Sequence, residues 1–246
     1  MASQDPATYA LDVAHSLAFR QGLGASLFAS AGSAVTVSDV KAYAASAFSA
    51  SNVAVIGTGI DEGLLKKLVE EHFDTLSGAK AGGSASTYYG GETRVAPSPD
   101  SHSHGPNTVF IGFGSSSPSS PELAVLAAHL DPTPSAKWGS SSSPLSKALE
   151  KGDVSVQAVY LPYSDASLAG FIVQSASAES VNGVVTEVAK AFKDIKGGAL
   201  KGDALKGAVA KAKFRAASAL EDRSGLVASA GAKVGCFFAS AKRIFS

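Results

Sequence analysis

The sequence predicts a two-layer α+β sandwich built in two units, not a doubly wound parallel sheet. Three observations carry this. Asp153–Leu161 alternates Val154, Val156, Ala158 and Tyr160, the period-2 signature of a half-buried strand, and Ser167–Gln174 pairs with it across Pro162-Tyr163-Ser164-Asp165 as a hairpin. Two long helical patterns follow with no strand between them. Upstream, Ser77–Thr87 is a run of small and polar residues unable to form a core, and it reads as a linker.

The elements follow in order. Asp5-Pro6 is an N-cap with proline in the first helical position, and predicts a helix to about Leu27 with Leu11, Ala14, Ala18 and His15 facing inward. After Ser30–Ser33 a second helix starts near Ser38-Asp39 and carries Val40, Tyr43, Ala44, Ala47 and Phe48 as an apolar stripe. Asn52–Gly57 is short, apolar and β-branched, and predicts a buried strand. Asp61 caps a helix to about Phe73, with Leu64, Leu65, Leu68, Val69 and Phe73 inward. Past the linker, strands are expected at Gly91–Val95 and Thr108–Phe113. A helix opened by Pro121-Glu122 presents Leu123, Leu126, Ala127 and Leu130, and Pro144–Leu149 is a short helix. Beyond the hairpin, one helix shows Val181, Val184, Val185, Val188, Phe192 and Ile195. A second, opened by Asp203, shows Leu205, Val209 and Phe214.

Composition narrows the function. Hydrophobic residues make up 45% of 246, enough for one large core or two modest ones. Twenty-one basic residues balance 21 acidic ones, so the chain lacks the long-range field a nucleic-acid binder uses. A single cysteine, Cys236, excludes an internal disulfide and fits a reducing compartment. No apolar run approaches the roughly 20 residues that span a bilayer. Residues 1–20 show neither an apolar signal core nor an Arg-rich face, so a targeting segment is not expected here. The apolar ending around Val234–Phe238 reads as truncation.

The residues that could carry chemistry each have a plainer role. Gly57-Thr58-Gly59 after an apolar run and before a helix imitates a dinucleotide-binding turn, in which helix N-terminal amides hold a pyrophosphate. Asp61 and Glu62 put negative charge at that place, which favours a tight turn with Asp61 as cap. Glu70-Glu71-His72 suggests zinc, but a helical zinc site needs a second histidine four residues away, and Leu68 and Leu76 stand there. His102 and His104 share a Pro/Ser/Gly loop with no third ligand. His129 is expected to meet terminal helix carbonyls. Asp165 is expected to bond the hairpin turn, and Glu92 with Arg94 to form an ion pair joining linker to sheet. No Gly-x-Ser-x-Gly elbow is present, and Cys236 has no recognisable base. The expectation is no catalytic, cofactor-binding or metal-binding residue, and no cofactor.

Several motifs, in order, resemble one family. They are Asp5-Pro6 with His15 and Arg20, Ala54-Val55-Ile56-Gly57-Thr58-Gly59, Tyr89-Gly90-Gly91-Glu92-Thr93-Arg94, Lys137-Trp138-Gly139, and Tyr163-Ser164-Asp165-Ala166-Ser167-Leu168 leading to Gly170. Over about residues 5–230 the chain resembles the pitrilysin/processing-peptidase superfamily. Within it, the Gly-Gly-Glu-x-Arg and Tyr-Ser-Asp motifs are closer to the core protein 2 branch of mitochondrial ubiquinol–cytochrome c reductase than to processing-peptidase subunits. The resemblance implies two homologous processing-peptidase-like α+β domains. Residues 1–76 would be the later part of the first, 77–87 the linker and 88–246 most of the second. It implies a non-catalytic structural subunit on the matrix side of the inner membrane, partnered by core protein 1 and the other subunits of the reductase, with no nucleic acid and no transmembrane helix. The family's inverted zinc motif would lie upstream of Met1. The alternatives are a fragment of a processing-peptidase subunit and a nucleotide-binding oxidoreductase using Gly57 and Gly59.

Overall fold

The structure is a computed structural model that describes residues 5–28, 32, 34–49, 52–74, 76, 84–96, 105–117, 120–134, 143–149 and 153–232. It divides into two compact units. The first joins Met1–Phe28 to Ala85–Arg215, and the second joins Ala29–Ser84 to Ala216–Ser246. Packing therefore groups the N-terminal helix with the sheet that lies beyond the linker.

In the first unit β1 (Asn107–Ser115), β2 (Val154–Pro162) and β3 (Ser167–Ser175) form an antiparallel sheet in the order β1-β3-β2. The expected hairpin is present: Pro162 pairs with Ser167, and the Tyr163 N–H donates to Ala166 O at 2.9 Å. β3 lies between two partners and is buried along almost its whole length. Its odd-numbered residues Phe171 and Val173 face one helical layer, and its even-numbered Leu168 faces another helix.

The first face is covered by α4 (Pro121–Leu130) and α6 (Ala178–Lys196). Ser120 caps α4 by accepting from the Leu123 N–H, and Ser177 does the same for α6 through Ser180. The α6 stripe is the one its periodicity predicts. Val181, Val184 and Val188 are buried with Ala191, while Val185, Phe192 and Ile195 pack at the margin. Phe192 meets Phe113 and Phe171 edge-on at 5.6 and 5.9 Å between centroids. The short helix α5 (Ser146–Leu149) lies against β2, and Leu145 before it is buried in the same core.

The second face receives α1 (Pro6–Phe19), with Ala18 and Phe19 buried against Ala166 and Leu168. Asp5 caps it, accepting from the Ala7 and Thr8 N–H groups at 3.2 and 3.1 Å. The helix ends eight residues before the expected Leu27. Arg20 takes φ 59°, which no helix interior permits, and a short 3-10 turn follows at Gly22–Gly24. Gly24 lies so close to the helix that a Cβ would come 3.0 Å from His15 O, so the chain doubles back at once. Between the faces, Gly112 pairs with Gly170 across β1 and β3. A Cβ on Gly170 would stand 2.4 Å from Ile111 O and 2.8 Å from the Phe110 ring, so the ring takes the place of the missing side chain.

Three expectations fail in identifiable ways. Gly91–Val95 and the run from Asn52 to Gly57 contain no strand; the described backbone there is not in a ladder. The β-branched composition was right for extension and silent on pairing. In α7 (Gly202–Ser218), Leu205 and Phe214 are exposed, Val209 is half-buried, and the buried residue is Ala208. An Ala/Lys-rich helix offers a face too narrow to fix its orientation by apolar burial.

The second unit contains α2 (Val37–Ala47), α3 (Glu62–Phe73) and a helical stretch over 223–232. Thr36 and Asp39 form a reciprocal capping box on α2, two residues before the expected start. α3 has its expected bounds. Yet Val40, Tyr43, Phe48, Leu64, Leu68 and Phe73 are all exposed, and only Ala44, Ala47, Leu65 and Val69 of the predicted inward faces are half-buried. Every buried apolar residue among the described residues belongs to the first unit.

Phe171→Ala is expected to lower stability by about 3–5 kcal/mol through the cavity it leaves, and Gly170→Ala by about 1–3 kcal/mol through overpacking. Urea unfolding followed by far-UV circular dichroism measures both.

Candidate functional site

The polar groups of the first unit gather in two places. The first lies where α1 meets the hairpin. His15 Nδ1 is 2.7 Å from Leu11 O, a carbonyl that can only accept, so Nδ1 carries the proton. In the neutral ring Nε2 is then an acceptor, and it takes the hydroxyl proton of Tyr163 at 2.6 Å. Burial pushes the Tyr163 phenol above its ordinary value and keeps it a donor. Both ring nitrogens are thus committed to structure, and neither is free to move a proton on a substrate. Asp165 corrects an expectation: its Oδ2 accepts from the backbone N–H of Ser86 at 2.7 Å, so it holds the linker. Ser167, beside them, is fully buried and its hydroxyl has no partner among the described residues.

The second gathering is at the end of α4. Asp131 caps the helix, is buried, and accepts from the Thr133 N–H at 2.9 Å and from the guanidinium of Arg215. Lys211, one turn earlier on α7, donates to Asp131 O at 2.7 Å. His129 does not take the terminal carbonyls as expected. Leu130 O accepts from Ser143 Oγ at 2.6 Å, and Asp131 O from Lys211. Burial, and then the neighbouring Lys211 charge, hold the His129 imidazole below its ordinary pKa. Burial, followed by Arg215, lowers Lys211 too, against the opposing pull of Asp131. The i, i+4 spacing of Lys211 and Arg215 was visible in the sequence; their partner, some 80 residues earlier, was not.

In the second unit, Gly59 adopts φ 74° in the turn before α3. The Asp61 carboxylate accepts from the Leu64 N–H at 3.0 Å, and Glu62 stands beside it. The helix N-terminus is therefore already occupied by an anion belonging to the chain, and no strand precedes it, which removes the dinucleotide reading. A groove of about 550 Å³ runs between Val53, Val55 and the Leu65, Val69 and Phe73 side of α3. Glu70 pairs with Lys66 across one exposed turn, and Glu92 with Arg94 at 3.0 Å within the segment after the linker. No group of three His, Cys, Asp or Glu among the described residues could hold a metal ion. His102, His104, the segment from Lys137 to Gly139, and Cys236 lie outside the described residues.

In the two gatherings of this α+β unit, the polar side chains of His15, Tyr163, Asp165, Asp131, Lys211 and Arg215 tie helices and the segment at Ser86 to one another. A family model described as "Peptidase M16 inactive domain" matches residues 34–212, well over half of the chain, and the chain belongs to that family. The curated relatives it matches include the protein named "Cytochrome b-c1 complex subunit 2, mitochondrial" in Cryptococcus neoformans var. grubii, 43% identical over 92% of this chain and 52% of the relative. The proteins of the same name in Yarrowia lipolytica and Neurospora crassa are 35% and 33% identical, over 89% and 95% of this chain and 51% and 52% of theirs. The fold also matches a chain of the solved structure "Complex III2 from Candida albicans, Inz-5 bound", with a TM-score of 0.75 at 18% identity. That match covers 95% of this chain and 57% of the other. The chain spans about half the length of the curated relatives it matches.

Two outcomes follow from the first gathering. Tyr163→Phe leaves His15 Nε2 without its donor and is expected to cost about 1 kcal/mol, whereas Ser167→Ala removes an unsatisfied hydroxyl and should be neutral or slightly stabilising. Paired urea titrations read both.

The second gathering sets a pH dependence. Because the folded state holds His129 below the value of about 6.5 that it has when unfolded, the unfolded chain binds the proton first. Its stabilising contribution is complete above that value and is lost as pH falls through the folded pKa. The urea midpoint should therefore decline on acidification from about pH 7.5 to 5.5, and His129→Gln should flatten that slope.

Proposed function

We propose that this chain is a non-catalytic structural core subunit of mitochondrial ubiquinol–cytochrome c reductase, respiratory complex III, where it supports assembly of the complex. The observation that carries the reading is the 43% identity over nearly the whole chain to a protein named cytochrome b-c1 complex subunit 2. The description of the matching family model as an inactive domain supports the non-catalytic part. In this reading the chain contributes no catalytic, metal or cofactor residue, lies on the matrix side of the inner membrane, and pairs with core protein 1 and its neighbours. No described helix is long and apolar enough to cross a membrane.

The relation to longer relatives gives the domain reading its form. Residues 1–76 correspond to the later part of a first peptidase-like domain, 77–87 to the linker and 88–246 to most of a second. The exposed apolar faces of α2 and α3 fit a part of the protein that packs against further elements.

The test is a native gel of mitochondria solubilised in mild detergent and probed with an antibody to residues 225–246. Signal co-migrating with ubiquinol–cytochrome c reductase is expected. Signal confined to low mass overturns the reading.

A further inference from the structure

The backbone of residues 86–89 is held to the rest of the first unit at three points. Ser86 N–H donates to the Asp165 carboxylate at 2.7 Å, Tyr88 N–H to Ser116 Oγ at 2.8 Å, and Tyr89 N–H to Ala18 O at 2.8 Å. The Tyr88 ring lies over Gly114 of β1, so closely that a Cβ there would come within 2.5 Å of it. Gly91 approaches Leu17 of α1, whose Cδ1 would stand 3.2 Å from a Cβ. Glycines at 90 and 91, with φ 71° and 140°, then turn the chain away.

One residue in this arrangement carries strain. Arg20 has φ 59° and ψ −49°, and Gln21 N–H donates to Phe19 O at 2.6 Å, which makes Arg20 the centre of a tight γ-turn. This hand of γ-turn is the rare and strained one, and among the described residues Arg20 alone has positive φ without being glycine. Glycine would occupy the position without the Cβ clash, so the contact made by the arginine side chain bears on why the strain is kept. The side chain is exposed and makes no ion pair among the described residues. Its guanidinium stacks over the Tyr89 ring, 4.4 Å from the centroid.

We propose that residues 86–91 form a strap laid across the end of α1 and the sheet, and that Arg20 is the positioning residue that latches it, held in a strained turn because only that backbone aims the guanidinium at Tyr89. The strap fixes the path of residues 86–91 over α1 and β1 within the first unit. Local stability is given up at residue 20 to obtain that position.

Hydrogen exchange of the full chain, with urea unfolding alongside, separates this from a merely structural role. Arg20→Gly removes the latch and relieves the turn. The Tyr88 and Tyr89 amides should then exchange about two- to fivefold faster, the range that loss of an exposed cation–π contact allows, while the urea midpoint stays level or rises. Tyr89→Leu should give the same local acceleration, and Arg20→Lys, which keeps cation and strain, should retain protection. Unchanged exchange at Tyr88 and Tyr89 in Arg20→Gly overturns the proposal. A lowered midpoint with protection lost evenly across the unit overturns it too, because Arg20 would then hold the fold and not the strap.

Discussion

The first unit depends on β3 being apolar on both sides. A strand with one wet face needs a single helical layer, whereas Phe171 and Val173 on one side and Leu168 and Ile172 on the other each require cover. α4 and α6 supply it on the first side. On the second, α1 comes from the opposite end of the chain, and the Gly112–Gly170 pair with the Phe110 ring shapes the surface it meets. The cap at Asp5, the reversal at Arg20 and the His15–Tyr163 hydrogen bond all serve to hold that one helix in place.

What could be read from the sequence was whatever a local pattern decides. The hairpin, α3 and α4 have period, cap and turn residues that agree and formed within a residue or two of their expected ends, and α6 buries the stripe that its period predicts. The helix through Arg20 failed because its stop is a backbone turn at a residue with no turn preference, and only Gly22 and Gly24 after it hinted at one. The strands expected at residues 52–57 and 91–95 failed because extension is local while pairing depends on a partner that composition cannot name.

The polar residues divide along the same line. Single caps such as Asp61 were legible, since donor and acceptor lie within four residues. His15, Tyr163, Asp165 and Asp131 found partners far along the chain, at separations no spacing rule covers. The sequence offers no rule that pairs them. It could not say that their work is to join α1, linker and α7 to the sheet.

The hydrogen bond between His15 and Tyr163 joins positions 148 residues apart, whereas the β2–β3 turn closes over four. Loop-closure entropy makes these events very unequal. The hairpin can form while little else is in place, but α1 gains its contacts only after nearly the whole unit has been gathered around the sheet. α1 is thus made well before the hairpin on which it seats, and until it docks the Leu168 face of β3 stays open to water and to other chains.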